Sequence, residues 1–136
     1  MSELSQKEID ALLEALDDEY RAWATYDQVI KDFGEVRPFI NIREAEARHM
    51  QAILGLLDYY GIAAPENPWP GKVERYHSIH LACEAGVAGE IENEKMYRRL
   101  LKSTRRQDIR NVFRNLQRAS QQNHLAAFKR CVERGR

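Results

Sequence analysis

The sequence lacks the marks of several large protein classes. It contains no apolar run of 18 residues, so no membrane-crossing helix is expected. Only two cysteines occur, Cys83 and Cys131, with no Cys-x-x-Cys pattern. That speaks against a disulfide framework and a zinc ribbon, and two free thiols fit a reducing compartment. The opening residues MSELSQKEID lack the basic-then-apolar pattern of a secretory signal, which points with the thiols to the cytoplasm. Neither charge is in excess: 21 basic residues stand against 21 acidic ones, unlike the basic balance of a dedicated nucleic-acid binder. No segment alternates polar and apolar residues as a half-buried strand does. Prolines are few, and three of the four fall in one stretch, GIAAPENPWPG.

What is present is helical patterning over a chain of 136 residues, 43% of them hydrophobic, enough for one domain spanning 1–136 with a real core. The neutral balance hides an asymmetry. Residues 1–34 hold nine acids and three bases, and residues 102–136 hold ten bases and two acids. Either the first and last helices attract each other or both show solvated faces. The row Arg106, Arg110, Arg114, Arg118 reads as a solvated flank.

SQKE, from Ser5 to Glu8, is a capping box, and a helix is expected over about 5–33. Its apolar stripe runs through Leu12, Leu16, Trp23, Tyr26 and Ile30. A second helix is expected over about 37–60, with Ile42, Ile53 and Leu57 inward. The proline-rich stretch makes a crossover of about 61–74. Further helices are expected over about 75–102 and 108–133. Four long amphipathic helices without strands make an all-α four-helix bundle the default.

Each helix points ionisable side chains at the core. At ~100° per residue, Glu19 lies at the centre of the first stripe, and Glu46 at the centre of the second with His49 one turn on. Glu90 is central on the third helix with Glu94 a turn later. His124 is central on the fourth, and Gln121 lies about 60° from it, still inward. An unpaired carboxylate removed from water costs several kcal/mol or takes up a proton. Three glutamates and two histidines at mid-helix therefore need a partner, either one another or a cation. Their levels match. Glu19 precedes the first turn by about as many residues as Glu46 and His49 follow it, and Glu90 stands likewise to Gln121 and His124. Glu19 is followed by Tyr26 and Glu90 by Tyr97, seven residues on in each case. Two similar antiparallel hairpins face to face require a crossover along the bundle length, and ~3.3 Å per residue allows it. Tyr26 and Tyr97 read as core residues with satisfied hydroxyls, or as groups hydrogen-bonded to the ligands. Trp23 reads as core, and His77 and His80 as surface or capping residues.

ALDDEYRAWATYDQVIKDFGEVRPFINIREAEARHMQAIL and EAGVAGEIENEKMYRRLL, with LQRASQQNHLAAF, resemble the ferritin-like superfamily, the group that holds rubrerythrin, bacterioferritin and other diiron carboxylate proteins. Within it they look like a small branch classed as a domain of unknown function. The superfamily pattern is Glu, Glu-x-x-His, Glu and Glu-x-x-His on successive helices. The resemblance implies that Glu19, Glu46, His49, Glu90 and His124 occupy five of six metal-ligand positions. Glu46 would bridge two metals, with Glu19 and His49 serving one and Glu90 and His124 the other. Gln121 stands at the sixth position, where a carboxylate is expected, and Glu94 is a candidate replacement.

The implied cofactor is iron, as one or two ions, with manganese or zinc as alternatives. The implied activity is oxygen- or peroxide-linked redox chemistry of a diiron-type oxidoreductase, peroxidase or ferroxidase-like, served by an external electron donor. Neither a nucleic acid nor a membrane is an expected partner, and a homodimer is one option. The alternative is a degenerate bundle without functional metal, acting as a structural or protein-interaction module.

Overall fold

A computed structural model of the chain describes residues 3–135, and among these every regular element is helical. Helix α1 spans Gln6–Phe33 and α2 spans Phe39–Tyr59. Helix α3 spans Ile79–Leu100 and runs into a short 3-10 turn, Leu101–Ser103. The fourth bundle helix has three parts: α4, Gln107–Arg118; a π-helical segment, Ala119–His124; and α5, Leu125–Arg134. Helix α1 packs on α2 and α3, and the fourth helix packs on α3 and α2, so the first and fourth helices stand on a diagonal. The result is an all-α four-helix bundle.

The ends follow from local chemistry. The Glu8 N–H donates to Ser5 Oγ at 3.1 Å and the Ser5 N–H to Glu8 Oε1 at 2.9 Å, closing the capping box. Gly34 ends α1 at φ +94°, a conformation that side chains disfavour, with its N–H on Ile30 O at 2.8 Å. Helix α3 begins later than the expected 75, because the Ser78 hydroxyl caps it by accepting from the Leu81 N–H at 3.0 Å. Residues 72–78 stay with the crossover.

That crossover runs along α1. Tyr20 Oη donates to Pro65 O at 2.8 Å, Trp69 Nε1 to Asp17 Oδ1 at 2.9 Å, and Arg75 Nε to Asp32 Oδ2 at 3.1 Å. It therefore passes from the N-terminal end of α1, where Tyr60 bonds Asp108, by its middle to its C-terminal end, so α3 runs antiparallel to α1 and parallel to α2. The acidic first helix meets bases here, on α2, where Arg43 pairs with Asp27 at 2.9 Å, and on α3, where Arg99 pairs with Glu14. Among the described residues of the last helix, only Arg106, at its start, meets it, at 3.4 Å from Glu8. Attraction between the first and last helices is thus confined to one end. The arginine row is also only partly solvated. Arg106 donates to Glu3 O at 2.7 Å and Arg110 to Thr104 O at 3.2 Å, while Arg114 and Arg118 are exposed.

The core comes in two parts. One cluster holds Leu12, Leu16, Ile53, Leu57, Ile109 and Phe113, and the other holds Ile30, Phe39, Ile42, Phe128 and Val132. Full burial of each such side chain contributes about 1.5–3 kcal/mol. Between the two clusters lies a layer of polar side chains, whose desolvation these terms offset.

The cysteines overturn the expectation of free thiols. Cys83 on α3 and Cys131 on α5 form a disulfide, with Cα atoms 6.1 Å apart. Close approach of the helices makes this possible: a side chain at Gly86 would put its Cβ 2.7 Å from the Phe128 ring. The bond removes the free-thiol argument for a reducing compartment. No helix among the described residues is long and apolar enough to cross a membrane.

Candidate metal centre

The polar layer contains all five expected ligands. Glu19, Glu46, Glu90 and His124 are buried, and the His49 side chain is about one-tenth exposed. They form two donor sets, Glu19 with Glu46 and His49, and Glu46 with Glu90 and His124. Within each, the three ligand atoms lie within 4.8 Å of one another. Glu46 belongs to both. The two imidazoles stack with centroids 5.4 Å apart.

The tyrosines cross between hairpins. Tyr26 on α1 donates to Glu90 Oε2 on α3 at 2.6 Å, and Tyr97 on α3 donates to Glu19 Oε1 on α1 at 2.7 Å. Burial, then the Glu90 charge, pushes the Tyr26 hydroxyl well above its ordinary pKa, and burial with the Glu19 charge does the same to Tyr97. Both phenols therefore stay protonated and fix one oxygen of each glutamate. They are satisfied core residues and ligand-orienting residues at once.

Three atoms in this layer have no hydrogen-bond partner although fully buried: Glu46 Oε2, Glu90 Oε1 and His124 Nδ1. His124 Nδ1 stands 3.2 Å from Glu46 Oε1 and 3.3 Å from Glu90 Oε1, close enough for attraction but out of hydrogen-bond alignment. An unsatisfied buried polar atom costs about 1–3 kcal/mol. Carboxylate oxygens and an imidazole nitrogen turned toward one another without hydrogen bonds suit a shared cation, so this donor set fits a metal. Among the protein's own groups the charges are uneasy. Burial, then the charge of Glu19, pushes Glu46 well above the usual carboxylate range. Burial alone would raise Glu19 too, but hydrogen bonds from Glu46, His49 and Tyr97 outweigh it and hold Glu19 low.

Two expected contributors stand elsewhere. Gln121 is exposed and reaches no ligand. The cause is the π segment, in which about 4.4 residues make a turn, or about 82° each. Three residues before His124 then lies about 115° away instead of 60°, which turns Gln121 to solvent. Glu94 is engaged by Arg98 and by Gln117 Nε2, the latter at 3.1 Å, and belongs to neither donor set. Trp23 is half-buried, His77 is exposed, and His80 lies 3.7 Å from Glu84 near the start of α3.

In place of Gln121 the fourth helix turns Ser120 inward. Its hydroxyl donates to Asn93 Oδ1, and Asn93 Nδ2 donates to Glu19 Oε1 at 3.2 Å and to Asp18 Oδ2 at 2.5 Å. Burial, then the Glu19 charge, lifts Asp18 to about 6. Sequence reasoning missed Asn93 and Asp18. Asn93 had a signal, since it follows Glu90 by three residues, the spacing of His49 after Glu46.

Neither a protein-family model nor a curated protein matches the chain. Solved structures do. A hypothetical protein from Methanococcus jannaschii DSM 2661 is 25% identical with a TM-score of 0.88, over 99% of this chain and 85% of that one. A conserved hypothetical protein from Mycobacterium tuberculosis is 16% identical with a TM-score of 0.80, over 93% of this chain and 91% of that one. Both likenesses speak to the fold.

Proposed function

We propose that this chain is a ferritin-like metalloprotein that holds one or two divalent ions, iron first, for oxygen- or peroxide-linked redox chemistry. The observation that carries the reading is the pair of buried donor sets sharing Glu46, with three polar atoms left without hydrogen bonds. Glu19, Glu46 and His49 would hold one ion, and Glu46, Glu90 and His124 the other. Oxygen donors with one imidazole suit iron, manganese or zinc. A bound redox-active metal supplies one-electron chemistry toward dioxygen or peroxide.

The chain's own residues do the rest. Tyr26 holds one oxygen of Glu90 and leaves the other without a partner, while Tyr97 holds Glu19 Oε1 and His49 faces Glu19 Oε2 at 3.3 Å. Asn93, steadied by Ser120, adds a second bond to Glu19. The clusters on either side bury Glu46 Oε2, Glu90 Oε1 and His124 Nδ1, which strengthens the charge interactions among them. Electrons come from a separate donor.

One observation favours the alternative, a polar core that binds no metal. With Gln121 turned to solvent, three carboxylates face a charge of up to +4. Anaerobic loading with Fe²⁺, Mn²⁺ or Zn²⁺ followed by metal counting separates the two readings. We expect one to two ions per chain, and a near-ultraviolet band when the iron-loaded protein meets oxygen. Fewer than about 0.2 ions per chain for every ion tried refutes the metal reading and leaves the structural one.

A further inference from the structure

A cavity of about 300 Å³ lies between α1, α3 and the crossover. Buried Tyr26, Glu90 and Asn93 form its inner end, and exposed Arg21, Lys72 and Glu74 its outer end, so it runs from solvent to the donor layer. It stays open for two reasons. The wall given by α3 is made of Ala82, Ala85, Gly86 and Gly89, with no side chain long enough to fill the space. The roof, with Trp69, Val73 and Tyr76, is tied to α1 on both sides, by Trp69 to Asp17 and by Arg75 to Asp32.

The size matters. At ~30 Å³ per water the cavity has room for about ten, far more than dioxygen or peroxide needs. It falls at the lower end of small-molecule sites, which run from about 300 to 1,000 Å³. The charges at its mouth balance: Asp18 pairs with Arg21 at 3.1 Å, and Lys72 and Glu74 carry opposite signs. The walls are apolar and aromatic. At the inner end stands the Glu90 carboxylate, whose Oε2 accepts one hydrogen bond, from Tyr26, and whose Oε1 is turned to His124.

We propose that this cavity binds a small uncharged organic substrate, an alcohol or phenol of about ten heavy atoms, with its hydroxyl turned to the Glu90 end. The use of that molecule in redox chemistry rests on the metal reading above; its binding does not.

The test uses the full chain, with metal and after chelation. The probes are phenol and cyclohexanol, set against benzoate and benzylammonium. The readout is the indole N–H resonance of Trp69, which forms part of the roof. Phenol and cyclohexanol should shift it saturably, with dissociation constants on the order of 1–10 mM, and the charged probes should bind about tenfold more weakly. Gly89→Leu fills the cavity, since a Cβ there meets no atom within 4 Å, and should abolish the shift. Ala88→Leu adds the same side chain on the exposed surface beside it and should keep the shift. Gly89→Leu raises helix propensity and Ala88→Leu lowers it only slightly, so circular dichroism should show both folded. Three results overturn the proposal: no saturable shift from the neutral probes, an undiminished shift in Gly89→Leu, or benzoate or benzylammonium binding as tightly as phenol. Metal counts taken in parallel report separately on the centre, so phenol binding together with fewer than about 0.2 ions per chain after loading would sink the metal reading alone.

Discussion

Replacing Glu46 by Gln should stabilise the metal-free protein and erase its stabilisation by metal. The carboxyl is 2% exposed, one of its oxygens has no partner, and burial and the Glu19 charge push its pKa up. A carboxyl raised in the folded state binds its proton more tightly there than in the unfolded chain, where the value is about 4.3. Stability from that group is complete below this value and drains away as pH rises above it. By pH 7 the loss reaches at most about 4 kcal/mol, from ~1.4 kcal/mol per unit over ~2.7 units. Gln keeps the volume, removes the charge, and can still donate to Glu19. We therefore expect a gain of about 1–4 kcal/mol at pH 7 and almost none at pH 4. For a chain of this size that is roughly 3–4 °C per kcal/mol in Tm.

Metal acts with the opposite sign. At a hundredfold excess over Kd, one bound ion stabilises the wild type by about 2.7 kcal/mol, near 8–11 °C. Glu46→Gln removes an oxygen shared by both donor sets and should lose nearly all of that shift. Thermal melts followed at 222 nm, with chelator and with excess Mn²⁺ or Zn²⁺, read both terms. A metal-free variant that melts more than about 3 °C below the wild type would refute the reasoning. It would mean that the carboxyl organises the layer through hydrogen bonds instead of waiting for a cation. A variant that keeps the full metal shift would refute the shared-ligand assignment.

Other expectations follow from the same geometry. Asp18 is raised from 3.8 to about 6, so in the metal-free protein its contribution is lost as pH rises from about 4 to about 6. Asp18→Asn should flatten that decline by up to about 3 kcal/mol, the full shift at ~1.4 kcal/mol per unit, measured by urea unfolding at pH 4 and pH 7. Reducing the Cys83–Cys131 bond frees a loop of 48 residues of sequence separation and should cost about 2–4 kcal/mol, seen as a lower Tm with reductant. Metal content should be unchanged by the reductant, because neither cysteine belongs to a donor set. Gln121→Glu should leave metal occupancy unaltered, since position 121 faces solvent. Deleting Gln122 should convert the π segment to regular helix while the disulfide still forms, and loss of the disulfide in that variant, read by thiol titration, would contradict the register described below.

The bundle and five of its inward donors were legible because they depend on quantities that sequence carries directly. A stripe repeating every three or four residues marks a helix face, and equal residue counts from a turn mark equal heights on antiparallel helices. Glu19 against Glu46 and His49, and Glu90 against His124, meet both conditions, and they fall in one layer. The same counting could have found the disulfide. Cys83 lies seven residues before Glu90 and Cys131 seven after His124. On antiparallel neighbours, equal offsets in opposite chain directions bring two residues to one level, whatever their spacing along the chain. Attention to Cys-x-x-Cys patterns hid that relation. The start of α3 was misplaced for a local reason, a single hydroxyl at Ser78 that ends the crossover four residues later than the helical pattern allowed.

Gln121 failed for a deeper reason. Counting from His124 at ~100° per residue assumes that the period holds. In the fourth helix it does not: the π segment Ala119–His124 absorbs about one extra residue, so α4 and α5 both face the core although the intervening sequence is too long for an unbroken α-helix. From Leu116 to His124 an α-helix would turn His124 about 80° past Leu116, whereas two helical steps and six π steps leave it about 30° short. The shift brings His124 and Phe128 back over the face that Ile109 and Phe113 define. It also exchanges Gln121 for Ser120 at the inner surface, where the hydroxyl steadies Asn93 against Glu19. The apparent sixth ligand and its replacement thus come from one register change, and only packing against α3, with its disulfide at the far end, selects it.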